Sequence, residues 1–251
     1  MQLHVWNYEK QRVILTIPTS HTGNIFCAKF LPESNDCRLV SCAADGIINV
    51  YDVNYSGQQS TTAATSSSSG SSSYTAVHRF NQHSESTHKL ALNPNLIISS
   101  SQDGTCRQFD LRQATSSSCS SVIVDWTQLE SPDSGSSGGG GRTVAIHSVD
   151  ISPVDSNYLI VGGGDYYIRM YDRRMNISGH TSHNNSSASS CLKCVKSFAP
   201  QKVIDKNGQL REQNRFFMPT HITGVRYDAS GTHIIGTFSG DSIYMFNVND
   251  S

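Results

Sequence analysis

Residues Leu96–Arg112 read LIISSSQDGTCRQFDLR, and this stretch decides the fold. Three apolar residues lead through serines to Asp103-Gly104, and a short alternating run then ends on Phe109-Asp110. An Asp-Gly pair between two strand-like runs is a strong hairpin signal, because glycine accepts the left-handed backbone of a tight turn. The pattern recurs as RLVSCAADGIINVYDV (Arg38–Val53), YLIVGGGDYYIRMYDRR (Tyr158–Arg174) and HIIGTFSGDSIYMFNV (His233–Val248). In the first three copies the turn aspartate, Asp45, Asp103 or Asp165, precedes the closing aromatic by six residues. The fourth has Gly240 at that place, with Asp241 one residue later. A fifth copy without its first half, LHVWN, opens the chain and ends on Trp6-Asn7.

A further strand-like segment precedes each hairpin: NIFCAKFLP, THKLALNP, VAIHSVDISP and ITGVRYDASG. Another follows the aromatic ending, as in RVILTIP and AVHRF. Four short antiparallel strands per unit, joined by Gly, Asp and Pro turns, make a propeller blade. Trp6 lies 45 residues before Tyr51, at the ~40–45 residue period of such repeats. Later spacings are longer because of Ser/Gly-rich tracts at 60–73, 115–121, 131–141 and 176–190. These tracts read as disordered inserts between blade strands. The expected fold is all-β, one partial propeller over residues 1–251 with about four to five blades. Since a propeller must bury its blade faces and close its edges, the chain is expected to be a fragment lacking blades at both ends.

The formal net charge of −1 carries no basic footprint for nucleic acid. No apolar run approaches the ~18–20 residues of a membrane span, and the N-terminus lacks the pattern of a signal peptide. Seven cysteines, an odd number scattered over strands and loops, do not form a disulfide framework. Reduced thiols in the nucleus and cytoplasm are expected. G-x-S-x-G, G-x-x-x-x-G-K-[ST] and H-E-x-x-H are all missing, and Gly162–Asp165 leads into a strand rather than a helix. No enzyme activity and no cofactor are expected. His180, His183, Cys191 and Cys194 form an H-x2-H and a C-x2-C, four soft ligands that could close a tetrahedral zinc site. Their spacing is not that of a standard finger, and Cys194 leads into a strand-like VKSF, so no metal is assigned.

The repeats resemble WD40 repeats. Segments NIFCAKFLP, THKLALNP, VGGGDYYIRMYDRR and DSIYMFNV resemble the DNA-damage-binding-protein-1 and cullin-4 associated factors, specifically their factor-8-like branch. That resemblance implies a seven-bladed full-length protein serving as substrate receptor of a cullin-4 RING ubiquitin ligase. It implies docking on a DNA-damage-binding-protein-1 type adaptor through blade endings of the form aromatic-Asp-x-Arg. Two copies match: Phe109-Asp110-Leu111-Arg112 and Tyr171-Asp172-Arg173-Arg174. Arg112 and Arg174 are the expected contacts, left over once the aromatics are assigned to packing and the aspartates to strand ends. The spacings of His21 to Asp45 and of His83 to Asp103 fit the histidine-to-turn-aspartate bond that staples WD40 blades. The second reading is a general WD40 scaffold in another complex, with both arginines mere rim charges.

Overall fold

The structure is a computed structural model that describes residues 1–53, 76–113, 120–127, 129, 143–176, 191–202 and 221–249. Strands β1 (Gln2–Asn7) and β2 (Arg12–Pro18) pair as a two-stranded sheet. Three four-stranded antiparallel sheets follow, each ordered as in the chain. The first is β3 (Ile25–Phe30), β4 (Arg38–Ala43), β5 (Ile48–Asp52) and β6 (His78–Phe80). The second is β7 (Thr87–Asn93), β8 (Leu96–Ser101), β9 (Thr105–Asp110) and β10 (Ser120–Asp125). The third is β11 (Ile146–Ile151), β12 (Tyr158–Gly163), β13 (Ile168–Asn176) and β14 (Leu192–Phe198). A three-stranded sheet of β15 (Ile222–Tyr227), β16 (His233–Phe238) and β17 (Ile243–Asn247) closes the series. The fold is all-β and WD40 propeller-like.

The apolar triplets that open each repeat have a direct packing cause. The second strand of a blade is covered on both faces, so successive residues enter different cores. Ile97 packs with Val40, Ile48 and Val50 of the preceding blade, whereas Ile98 packs with Ile146 and Val161 of the following one. Leu159 and Ile160 divide in the same way, between the second and fourth blades of this run. Among the described residues each hydrophobic core is therefore a seam between two neighbouring sheets. The closing aromatics fill these seams: Tyr51, Phe109 and Tyr171 are buried, each side chain contributing roughly 1.5–3 kcal/mol. Trp6 is 62% exposed, because its sheet packs on one neighbour only among the described residues.

Gly46 and Gly104 turn the Asp-Gly hairpins at φ +73° and +78°, a conformation in which side chains strain. Gly163 has a different reason. A β-carbon there would lie 2.0 Å from Ala145 O and 2.9 Å from the Trp126 ring.

Two expected inserts are shorter than the sequence indicates. Ser120 and Ser121 begin β10, pairing with Phe109 and Gln108, and Asn176 ends β13 opposite Leu192. Backbone pairing with a neighbouring strand satisfies groups that a polar side chain leaves open. The rest of those two tracts, and the tracts at 60–73 and 131–141, lie outside the described residues.

Candidate functional site

Antiparallel register gives each blade two chemically distinct ends. The start of the first strand and the turn between second and third strands share one end. Thr87 faces Ser101, next to the Asp103 turn. The turn between first and second strands and the finish of the third share the other. Asn93 faces Leu96, and Leu96 faces Asp110. Stapled aspartates thus occupy one face and the Asp-x-Arg endings the opposite one.

On the aspartate face, His83 Nδ1 lies 2.8 Å from Asp103 Oδ2, and Ser99 Oγ lies 2.6 Å from His83 Nε2. The other Asp103 oxygen accepts from the Thr105 N–H and hydroxyl, at 2.9 and 2.7 Å. Burial disfavours the Asp103 carboxylate, yet these hydrogen bonds outweigh it and hold the carboxyl far below its ordinary range. His21 repeats the arrangement, 3.2 Å from Asp45 and 2.8 Å from Ser41 Oγ. Asp165 has a cation in place of histidine. It pairs with Arg169, whose guanidinium lies 4.6 Å from the centre of the Trp126 ring.

On the opposite face, Arg112 is clamped rather than left over. Its Nε and Nη2 donate to the two Asp110 oxygens at 2.9 and 2.6 Å, a bidentate fork. The Arg112 N–H also donates to Asp110 Oδ1 at 3.0 Å, a local turn that explains aspartate at the strand end. Arg174 repeats this on Asp172, at 3.0 and 2.8 Å from its side chain and 2.9 Å from its N–H. It gains a bond to the Tyr158 hydroxyl and lies 5.3 Å from that ring's centre. Each arginine holds its aspartate below the ordinary carboxylate range. The side chains of Arg112 and Arg174 remain 71% and 55% exposed.

The six expected docking residues therefore separate. Phe109, Tyr171 and Asp172 are buried and Asp110 is partly covered, so these hold the rim in place while the arginine edges reach its surface. The two rims belong to neighbouring blades and are tied together by Arg173, which donates to Gln108 Oε1 at 2.9 Å. Tyr51-Asp52 lacks the x-Arg ending, yet Asp52 still binds a guanidinium. Arg38, directly opposite in the β4–β5 register, donates to it at 3.0 Å. Beside that pair lies a cleft of about 480 Å³ lined by Leu31, Pro32, Arg38, Asp52, Pro94 and Asn95.

A further cluster is one that sequence reasoning missed. The register slips after Ile25, Thr87, Ile146 and Ile222, the first residue of each innermost strand. Such bulges re-aim a side chain, here Phe26, His88, His147 and Thr223. With Lys89 and His221 they line an axial pocket of about 240 Å³. Ring centres lie 5.1 Å apart for Phe26–His88, 5.2 Å for His88–His147 and 5.5 Å for His147–His221. Burial and the neighbouring imidazoles push His147 down to about 4. Each aimed residue holds the second place of an innermost strand, a position that alternation alone does not mark.

Of the zinc candidates, His180 and His183 lie outside the described residues. Cys194 sits in β14 opposite Tyr171, its thiol donating to Lys196 O at 3.2 Å, and packs against the core. Among the described residues no cluster of three or more His, Cys, Asp and Glu is arranged to hold a metal. No helix among them is long and apolar enough to cross a membrane.

The family described as WD domain, G-beta repeat matches residues 12–52. The chain is 31% identical to Protein ALTERED SEED GERMINATION 2 of Arabidopsis thaliana over 266 residues, covering all of this chain and 32% of that protein. It is 27% identical to human WD and tetratricopeptide repeats protein 1, covering 97% of this chain and 33% of the relative. It is 28% identical to human DDB1- and CUL4-associated factor 6, covering 99% and 24%. The chain thus spans about a third or less of the length of these relatives. Among solved structures, the C-terminal WD40 domain of Sif2 superposes with a TM-score of 0.59 at 15% identity, covering 99% of this chain and 52% of that one. The repeats, the blade-to-blade seams and these matches agree on an all-β, WD40 propeller-like fold, with a WD domain, G-beta repeat at residues 12–52.

Proposed function

We propose that this chain is the propeller of a substrate receptor for a cullin-4 RING ubiquitin ligase. It docks a DNA-damage-binding-protein-1 type adaptor on the face that carries Arg112 and Arg174. The observation behind this reading is the pair of aspartate-clamped arginines, in register on adjacent blades and joined through Arg173 and Gln108. A guanidinium held by its own aspartate keeps a fixed plane, so a partner receives an ordered fork and stacking surface at little entropic cost. The opposite face, where the axial pocket opens, is left for the substrate. Catalysis is then positional: the receptor raises the local concentration of substrate near a ubiquitin-loaded enzyme bound elsewhere, with no reacting side chain of its own. The reading draws support from the human relative named as a DDB1- and CUL4-associated factor. The finer placement in the factor-8-like branch rests on the segments at 24–32 and 87–94.

Affinity capture of the tagged protein from cells tests the proposal, with the Arg112→Ala/Arg174→Ala double variant beside it. The adaptor should accompany the unmodified protein and be lost from the variant. Equal capture by both would favour the scaffold reading, in which the arginines are rim charges.

A further inference from the structure

We propose that Cys27 and Cys42 form an oxidation site for a hydroperoxide, closing a cross-strand disulfide between β3 and β4. The two residues are direct partners in that antiparallel pair. Facing residues of such a pair have Cα atoms roughly 4.5 or 5.5 Å apart, and both values lie within the ~4.4–6.8 Å span of a disulfide. The backbone is thus already placed for the bond.

The two sulfurs have unequal surroundings, and the inequality assigns their roles. Cys27 is half-buried, whereas Cys42 is wholly buried. Hydrogen bonding with Cys42 is the largest influence lowering the Cys27 thiol, against the opposing effect of burial, and the Leu90 backbone of the neighbouring blade lowers it further. Lys29 and Lys89 add positive charge, so the Cys27 thiol is held below its ordinary value. Lys29 is fixed there by donation to Leu90 O at 2.7 Å. Burial, followed by the bond to Cys27, pushes Cys42 the other way. A half-buried thiol that ionises more readily, facing a wholly buried one, is the arrangement of an attacking and a resolving cysteine.

The chemistry balances with the hydroperoxide as the only co-reactant. The Cys27 thiolate attacks the peroxide, forming an S–O bond as the O–O bond breaks, and the leaving oxygen takes up a proton. Cys42 then attacks the sulfenic sulfur, the S–S bond forms, and the departing hydroxyl leaves as water with the Cys42 proton. Two thiols are oxidised by two electrons and the peroxide is reduced by two. Among the described residues, Cys37 and Cys106 lack these features. Cys37 is exposed but sits in a turn, its thiol donating to Asn35 O at 3.4 Å. Cys106 is wholly buried, and burial raises its thiol.

Brief exposure of the intact chain to hydrogen peroxide, followed by non-reducing digestion and mass spectrometry, tests the assignment. The expected product is lighter by two hydrogen atoms, carries a Cys27–Cys42 link, and reverts with a dithiol reductant. Cys42→Ala should stop at a Cys27 sulfenic acid trapped by a 1,3-diketone, with circular dichroism certifying the fold. If that variant does not fold, Cys27→Ser serves instead, and Cys42 should then stay unmodified. A dominant link through Cys37, or unlinked sulfinic acid at Cys27 in the unmodified chain, would overturn the proposal. So would oxidation of Cys27 no faster than that of Cys106.

Discussion

Replacing Asp103 by alanine removes the acceptor on which one end of the second four-stranded blade depends. Four donors converge on that carboxylate: His83 Nδ1, the Ser84 N–H at 3.2 Å, and the N–H and hydroxyl of Thr105. The His83 side chain is fully buried and that of Asp103 is 7% exposed, so water does not readily replace the lost acceptor. A buried donor left unpaired costs about 1–3 kcal/mol, and His83 Nδ1 and the Thr105 hydroxyl both lose this acceptor, keeping only a long 3.4 Å contact with each other. The expected loss is therefore about 3–5 kcal/mol, measured by urea unfolding followed by circular dichroism. Asp103→Asn keeps the shape and one acceptor and should fall between. The pH dependence follows from the depressed carboxyl. Its stabilisation is complete above the unfolded value of about 3.9 and is lost as pH falls through the lower folded value. The gap between unmodified protein and Asp103→Ala should therefore narrow below about pH 4. A loss under about 1 kcal/mol, or a gap that widens in acid, would refute the staple.

Other expectations follow from single contacts. Trp126 Nε1 donates to the Tyr171 hydroxyl at 2.8 Å within the core, so Tyr171→Phe should cost about 1–3 kcal/mol in the same assay; an unchanged midpoint would contradict it. Gly163→Ala forces a β-carbon against Ala145 O and should cost about 3 kcal/mol or more. Gly240→Ala, with open space around its β-carbon but φ +69°, should cost about 1–2 kcal/mol. His147 should titrate near 4 by NMR, and a value near 6.5 would mean that the axial pocket is wetter than its geometry implies.

The blades were legible because their determinants are local. An Asp-Gly turn, a two-residue alternation and an apolar triplet all fall within about a dozen positions of Asp103. The arginines were legible as an in-register pair but not as clamped groups, since Asp110 reads simply as a strand end until its side chain is placed. Arg38 was hidden for a related reason. It lies fourteen residues before Asp52 in sequence and directly opposite it in the sheet. The axial histidines were further out of reach. Plain alternation does not indicate that a bulge re-aims His88 and His147, and their contact depends on how three blades sit around one axis. Phe109 and Tyr171, assigned to packing from sequence although they open the aromatic-Asp-x-Arg endings, fill the seams between blades.

The central claim is that the face bearing Arg112 and Arg174 binds a ligase adaptor. It is tested most directly by titrating purified adaptor against the unmodified protein, each arginine-to-alanine variant and the double variant. Both side chains are more than half exposed, so the variants should stay folded with a slightly lower unfolding midpoint, Arg174→Ala the lower because Asp172 is buried. Each single variant should weaken binding by about tenfold or more, as anchor arginines do, and the double variant should bring it to the limit of detection. Unchanged affinity in a folded double variant would contradict the account.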